Sequence, residues 1–204
     1  MQLFYATNTI SVAVAIALQE AGLDHTLTKV DFSKGEQLGA DYLGINSKGR
    51  VPALVVDSEV LTETGALLEY IAASAPDKNL VPSNPIEAAK MRSVMFYVAS
   101  TMHVNHAHRM RGTRWADQQS SFDDMAAKVP ETMTASATFV ENECLTDLFV
   151  GDAISIADCY LFVVCTWLTG DGVDLSVFPR INAFMAAMED RASVKSVRAA
   201  GILA

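Results

Sequence analysis

The chain has 204 residues, half of them hydrophobic, and a formal charge of −9 from 15 Lys and Arg against 24 Asp and Glu. That length and apolar content support one large or two modest globular domains with a real core, and the acidic balance argues against nucleic acid or an anionic membrane as a partner. There is no basic leader, and apolar runs such as Val12 to Leu18 fall far short of the about 20 residues that span a bilayer, so a soluble cytoplasmic protein is expected.

The first elements alternate. Leu3–Tyr5 and Leu27–Asp31 are strand-like, and between them Ser11 to Ala21 is rich in Ala, Val and Leu and stops at Gly22, which makes a βαβ unit. Gly35 to Leu43 reads as a weak helix. Ala53–Val56 and Val60–Leu61 form a hairpin around Asp57 to Glu59, and Thr64 to Ser74 is a helix with apolar positions at 67, 68 and 71. Strands in pairs with helices on both faces give a small α/β layer of the thioredoxin kind.

Pro76, Pro82 and Pro85 interrupt any regular element and mark a linker. Beyond them the pattern is helical only, over roughly 85–110, 122–143, 156–168 and 179–190. Ser155-Ile-Ala-Asp158 is a capping box and fixes a helix start; it leads into the apolar stripe Ala157, Tyr160, Leu161, Val164 and Leu168. The domains are therefore expected at 1–77 and 85–204, joined by 78–84. Cys144, Cys159 and Cys165 are odd in number and have no C-x-x-C spacing, which argues against a disulfide framework or a zinc site. Between Glu87 and Asp117 no acidic residue occurs, while Lys90, Arg92, His103, His106, His108, Arg109, Arg111 and Arg114 all do.

One segment carries chemistry by itself. In Lys48-Gly-Arg-Val-Pro-Ala-Leu54 a proline enters a strand, and because it cannot donate to a ladder it belongs at the strand's first residue. Val51 is then left with backbone groups for another partner, such as a peptide ligand. Taken with Asn46, Leu61-Thr-Glu63-Thr64 and Ser155-Ile-Ala-Asp158 followed by Tyr160-Leu-Phe162, in this order and at these distances, the chain resembles the glutathione transferases, nearest their bacterial beta class. The resemblance runs the full length. It implies an α/β thioredoxin-like N-terminal domain plus an all-α C-terminal domain, glutathione as co-substrate with no metal, a small electrophile as second substrate, and a homodimer in which Met91, Met95 and Phe96 offer apolar surface.

The same resemblance assigns the site. A cis Val51–Pro52 bond would let Val51 pair antiparallel with the ligand's cysteinyl unit. Glu63 and Thr64, at a helix start, suit the γ-glutamyl ammonium and carboxylate, while Lys34 and Arg50 suit the glycyl carboxylate. The beta class has a cysteine where this chain has Ile10, so mixed-disulfide and thiol–disulfide reductase chemistry are not expected. Ser11 is the first choice to stabilise the thiolate, with Thr9 and Tyr5 as further hydroxyls. His103 matches the beta-class histidine brought to the thiol from the helical domain, with Ser100 one turn earlier, and His106, Arg109 and Trp115 belong to a cationic, aromatic wall that either lines the electrophile pocket or makes salt bridges between the domains. The function that follows is conjugation or exchange of the thiolate onto a small hydrophobic or aromatic electrophile. A transferase-fold binding module with little or no catalysis is the competing reading, and a dehalogenase- or etherase-like specialisation of the same thiolate is a third.

Overall fold

A computed structural model describes residues 1–204. It comprises two units, Met1–Ser83 together with Glu189–Ala204, and Asn84–Met188. No helix is long and apolar enough to cross a membrane.

The first unit is built on four strands, β1 (Gln2–Tyr5), β2 (Thr26–Lys29), β3 (Ala53–Val56) and β4 (Glu59–Thr62), in the order β2-β1-β3-β4. β1 and β2 are parallel, as the intervening helix α1 (Ser11–Ala21) requires; β1/β3 and β3/β4 are antiparallel. α1 has almost no polar face, and Ser11 through Leu18 are all buried, as expected of a helix covered on more than one side. It packs against β1, α3 (Thr64–Ser74) and α9 (Ala192–Ala199). Gly22 closes α1 with φ 64°, a left-handed cap that costs glycine little. On the sheet, Phe4, Ala6, Val30, Tyr42, Val51 and Ala53 form one apolar cluster.

Three details differ from the sequence reading. The stretch 35–43 holds a single four-residue helix, α2 (Ala40–Leu43), after two 3-10 turns, Phe32–Lys34 and Glu36–Leu38, because Gly35 at φ 71° and Gly39 in extended geometry interrupt a longer helix. β2 ends at Lys29, where Asp31 turns the chain by accepting from the Ser33 amide at 2.9 Å. The third concerns the tail. Residues 189–204 were expected in the helical domain but group with the first unit: Arg191 and Ser193 both donate to Glu20 on α1, and Asn8 holds the terminus through Asn8 N–H to the Ile202 carbonyl at 3.0 Å and Ala204 N–H to Asn8 Oδ1 at 2.8 Å.

The second unit is all helix. Asn84 caps α4 (Pro85–Tyr97) by accepting from the Ile86 and Glu87 amides, and the helix runs on through a π turn at Val98–Met102 into α5 (His103–His108). α6 (Gln119–Phe139) ends in a second π turn, Val140–Cys144. Every residue of α7 (Ile156–Cys165) is buried. Its capping box is formed, with the Ser155 amide and hydroxyl both donating to Asp158 at 2.7 Å and the Val150 amide adding a third bond at 2.8 Å. α8 (Pro179–Glu189) is capped from elsewhere: the buried Glu141 carboxylate accepts from the Arg180 and Ile181 amides at 2.8 and 2.9 Å. The three cysteines are buried and unpaired with one another, and burial pushes the Cys144 thiol up to about 11.

Candidate active site

Strand register brings the candidate segments of the first unit to one end of the sheet. Phe4 pairs with Ala53 and Ala53 with Thr62. The residues that follow outward on the three strands are Tyr5 and the turn into α1, then Pro52 and Val51, then Glu63 and the start of α3. Two helices thus begin where a strand end presents backbone outside the ladder, an arrangement suited to an extended anionic peptide.

The Val51–Pro52 bond is cis, and β3 begins only at Ala53, so Val51 stands outside the ladder. Arg50 is fixed by its carbonyl, which accepts from the Tyr42 hydroxyl and the Asn46 side-chain amide at 2.7 Å each. Burial pushes the Tyr42 phenol up to about 12, so it remains a donor. Asn46 belongs to the motif read from the sequence; Tyr42 carried no signal there, since its partner lies eight residues away around an irregular turn.

Glu63 has φ 72° and ψ 117°, outside every basin a residue with a Cβ normally occupies. Its side chain is 72% exposed and meets Lys48 Nζ at 2.5 Å, and Lys48 also donates to the Thr62 hydroxyl at 2.9 Å. This strained residue stands directly between β4 and the first amides of α3. No side chain caps them, and the first internal bond is Leu67 N–H to the Glu63 carbonyl. Thr64 is buried in that first turn.

At the other helix start, Ser11 is 0% exposed. Its oxygen lies 3.2 Å from both the amide and the carbonyl of Ala6 and 2.7 Å from the Thr9 hydroxyl. Thr9 is the outer member of this pair, half-buried, and also donates to the Ala6 carbonyl at 2.8 Å. Ile10 is buried. Tyr5 is half-buried at the end of β1. Lys34 is exposed on its 3-10 turn and pairs with Asp31 at 3.3 Å, and the Arg50 side chain is exposed.

In the helical unit, Ser100 lies exposed on the π turn, its hydroxyl donating to the Phe96 carbonyl at 2.8 Å. His103 opens α5. The His106 ring stacks on Trp167 with centroids 4.2 Å apart, and His103 approaches the same indole at 5.2 Å. His106 Nδ1 and Arg109 Nη1 both meet Asp171, at 2.7 and 3.3 Å. Trp115 is half exposed, with the His108 ring against it edge-on at 4.6 Å. Asp171 and Trp167 were not singled out from the sequence, because their link to α5 spans more than 60 residues and neither belongs to a local motif.

A thioredoxin-like unit whose sheet end collects a cis-proline segment and an uncapped helix start, in a chain continuing into an all-helical unit, defines the glutathione transferase class of folds. Residues 1–73 match the family model for the glutathione S-transferase N-terminal domain, and residues 103–192 that for the C-terminal domain. The chain is 34% identical to glutathione S-transferase GstA of Escherichia coli O157:H7, over 98% of each. Among solved structures it is similar to a Sulfitobacter glutathione transferase homologue with bound glutathione (57% identity, TM-score 0.98, 99% of this chain and 98% of that one) and to BphK, a bacterial GST, as a ternary complex (30% identity, TM-score 0.86, 98% and 99%). The chain belongs to the glutathione S-transferase family and is an enzyme of that class.

Proposed function

We propose that the sheet end of the first unit binds glutathione and that the enzyme transfers its thiolate to a small hydrophobic or aromatic electrophile. The observation that carries this is the strained Glu63 across the sheet end from Val51: one presents a carboxylate next to the uncapped amides of α3, the other presents backbone outside the ladder. The γ-glutamyl carboxylate takes the α3 amides and its ammonium takes Glu63. The cysteinyl unit pairs with Val51, and the glycyl carboxylate meets the cations Lys34 or Arg50. The glutathione in the Sulfitobacter homologue supports the same ligand.

For the thiolate, the burial of Ser11 and the outer position of Thr9 support a division of labour: Thr9 turns its one proton from the Ala6 carbonyl to sulfur, and Ser11 keeps that carbonyl and positions Thr9. This moves the contact from Ser11, the first choice from sequence, to its neighbour. Bringing a thiol from about 8.5 to 6.5 takes about 2.7 kcal/mol. One charge-assisted hydrogen bond contributes about 1.5–3 kcal/mol and a helix N-terminus about 0.3–1 more, so no separate base is needed. His103 and Ser100 remain the candidates that the helical unit offers, and the enzyme works as a cytoplasmic homodimer, for which three buried cysteines outside any disulfide fit a reducing compartment.

Calorimetry tests the ligand. Wild type should bind glutathione at sub-millimolar concentration, and Glu63→Ala should weaken it about tenfold or more by leaving the ammonium unpaired. No heat of binding at millimolar glutathione would overturn the assignment.

A further inference from the structure

We propose that His106, Arg109, Trp167 and Asp171 form a recognition site for the carboxylate of a planar aromatic electrophile, an assignment that deepens the transferase reading and rests on it for the word electrophile.

Asp171 lies in the loop after α7 with its side chain 0% exposed, and two basic groups of α5 converge on it. Each spends one nitrogen there, His106 through Nδ1 and Arg109 through Nη1. His106 Nε2 and most of the guanidinium donors remain for another partner. Arg109 is 45% exposed, and its Nη1 lies so close to Gly170 that a Cβ added there would sit 3.0 Å away. The guanidinium is therefore held from one side by a buried carboxylate and from another by bare backbone.

Charge and shape complete the argument. Asp171 accepts from only one nitrogen of Arg109, so the guanidinium keeps charged donors that a second carboxylate can use beside the His106 ring. The acid-free stretch 88–116 supplies no competing carboxylate from α5 itself. The Trp167 indole, stacked with His106 at 24° and met by His103 at 55°, makes an aromatic cluster beside the Asp171 tie whose edge a flat ring can extend. Arginine with an aromatic neighbour is the pairing that recognises a planar carboxylate.

The test separates charge from ring. 3,5-Dinitrobenzoate and 3,5-dinitrobenzamide have the same nitroaromatic ring, lack a leaving group and differ in charge. In calorimetry, wild type should bind the benzoate about five- to tenfold more tightly than the amide. Arg109→Gln should abolish that preference, Arg109→Lys should retain part of it, and Gly170→Ala, which keeps every charge and only displaces the guanidinium, should reduce it. Turnover with 4-chloro-3,5-dinitrobenzoate and its amide should show the same preference in kcat/KM. In that reaction sulfur bonds to the carbon bearing chlorine, the C–Cl bond breaks with its electron pair on chloride, and the thiol proton passes to solvent. Equal binding of the two probes by wild type, or a preference that survives in both Arg109→Gln and Gly170→Ala, would overturn the proposal and leave Asp171 a purely structural tie. Glutathione binding with no preference between probes sinks the carboxylate site alone. A benzoate preference without glutathione binding sinks the transferase reading and leaves the site standing.

Discussion

Thr9 and Ser11 are two hydroxyls 2.7 Å apart at one turn, and only their burial tells them apart. If Thr9 is the group in contact, Thr9→Val should raise the pKa of bound glutathione by about one to two units, the equivalent of one charge-assisted hydrogen bond. Ser11→Ala should move that titration less and lower stability instead, since it takes from the Ala6 amide the buried hydroxyl it donates to, while the Ala6 carbonyl keeps Thr9. Thiolate absorbance of the binary complex, followed against pH for the two variants and Tyr5→Phe, decides the matter; a larger shift in Ser11→Ala would return the contact to Ser11. Sequence identified this turn because strand, polar turn and helix follow one another within ten residues. It put Ser11 ahead of Thr9, since the burial that separates them depends on Ser11 bonding back to Ala6. The same holds at Glu63, where the motif was legible but its positive φ was not.

At the scale of elements, α1, α3 and α7 were legible because capping signals and apolar runs agree with where each helix starts and stops. α9 was not, since eight residues with two buried valines make too weak a pattern and its role lies in contacts across some 170 positions. Arg191 and Ser193 on and before α9 clamp Glu20 on α1. Burial would raise that carboxyl, but the bonds from Arg191 and Ser193 outweigh it and hold it below its ordinary range. A carboxyl lowered on folding contributes stability that is present above its unfolded pKa of about 4.3 and lost as pH falls through the folded value. Glu20→Gln should therefore cost about 1–2 kcal/mol in urea unfolding at pH 7, with the gap to wild type closing below about pH 4. A pH-independent difference would mean that the clamp works by shape and not by charge.

For the whole molecule, the division into an α/β and a helical part was readable from prolines 76, 82 and 85 and the end of strand alternation, whereas the return of residues 189–204 to the first unit was not. Association is the property a single chain leaves to its surface. Of the three side chains expected to offer apolar area for a partner, Met91 and Met95 are buried within the protomer, and Phe96 is 70% exposed. Ile86 on the same helix is exposed too. A large exposed aromatic is where binding energy concentrates when an interface forms, so the homodimer reading now rests on Phe96. Light scattering at micromolar concentration should give twice the 22.0 kDa chain mass for wild type. Phe96→Asp should shift the population toward monomer without changing the melting of the isolated protomer, because the side chain buries little within it. A wild-type mass of one chain would remove the dimer, and a dimer unaffected by Phe96→Asp would place the interface on another face.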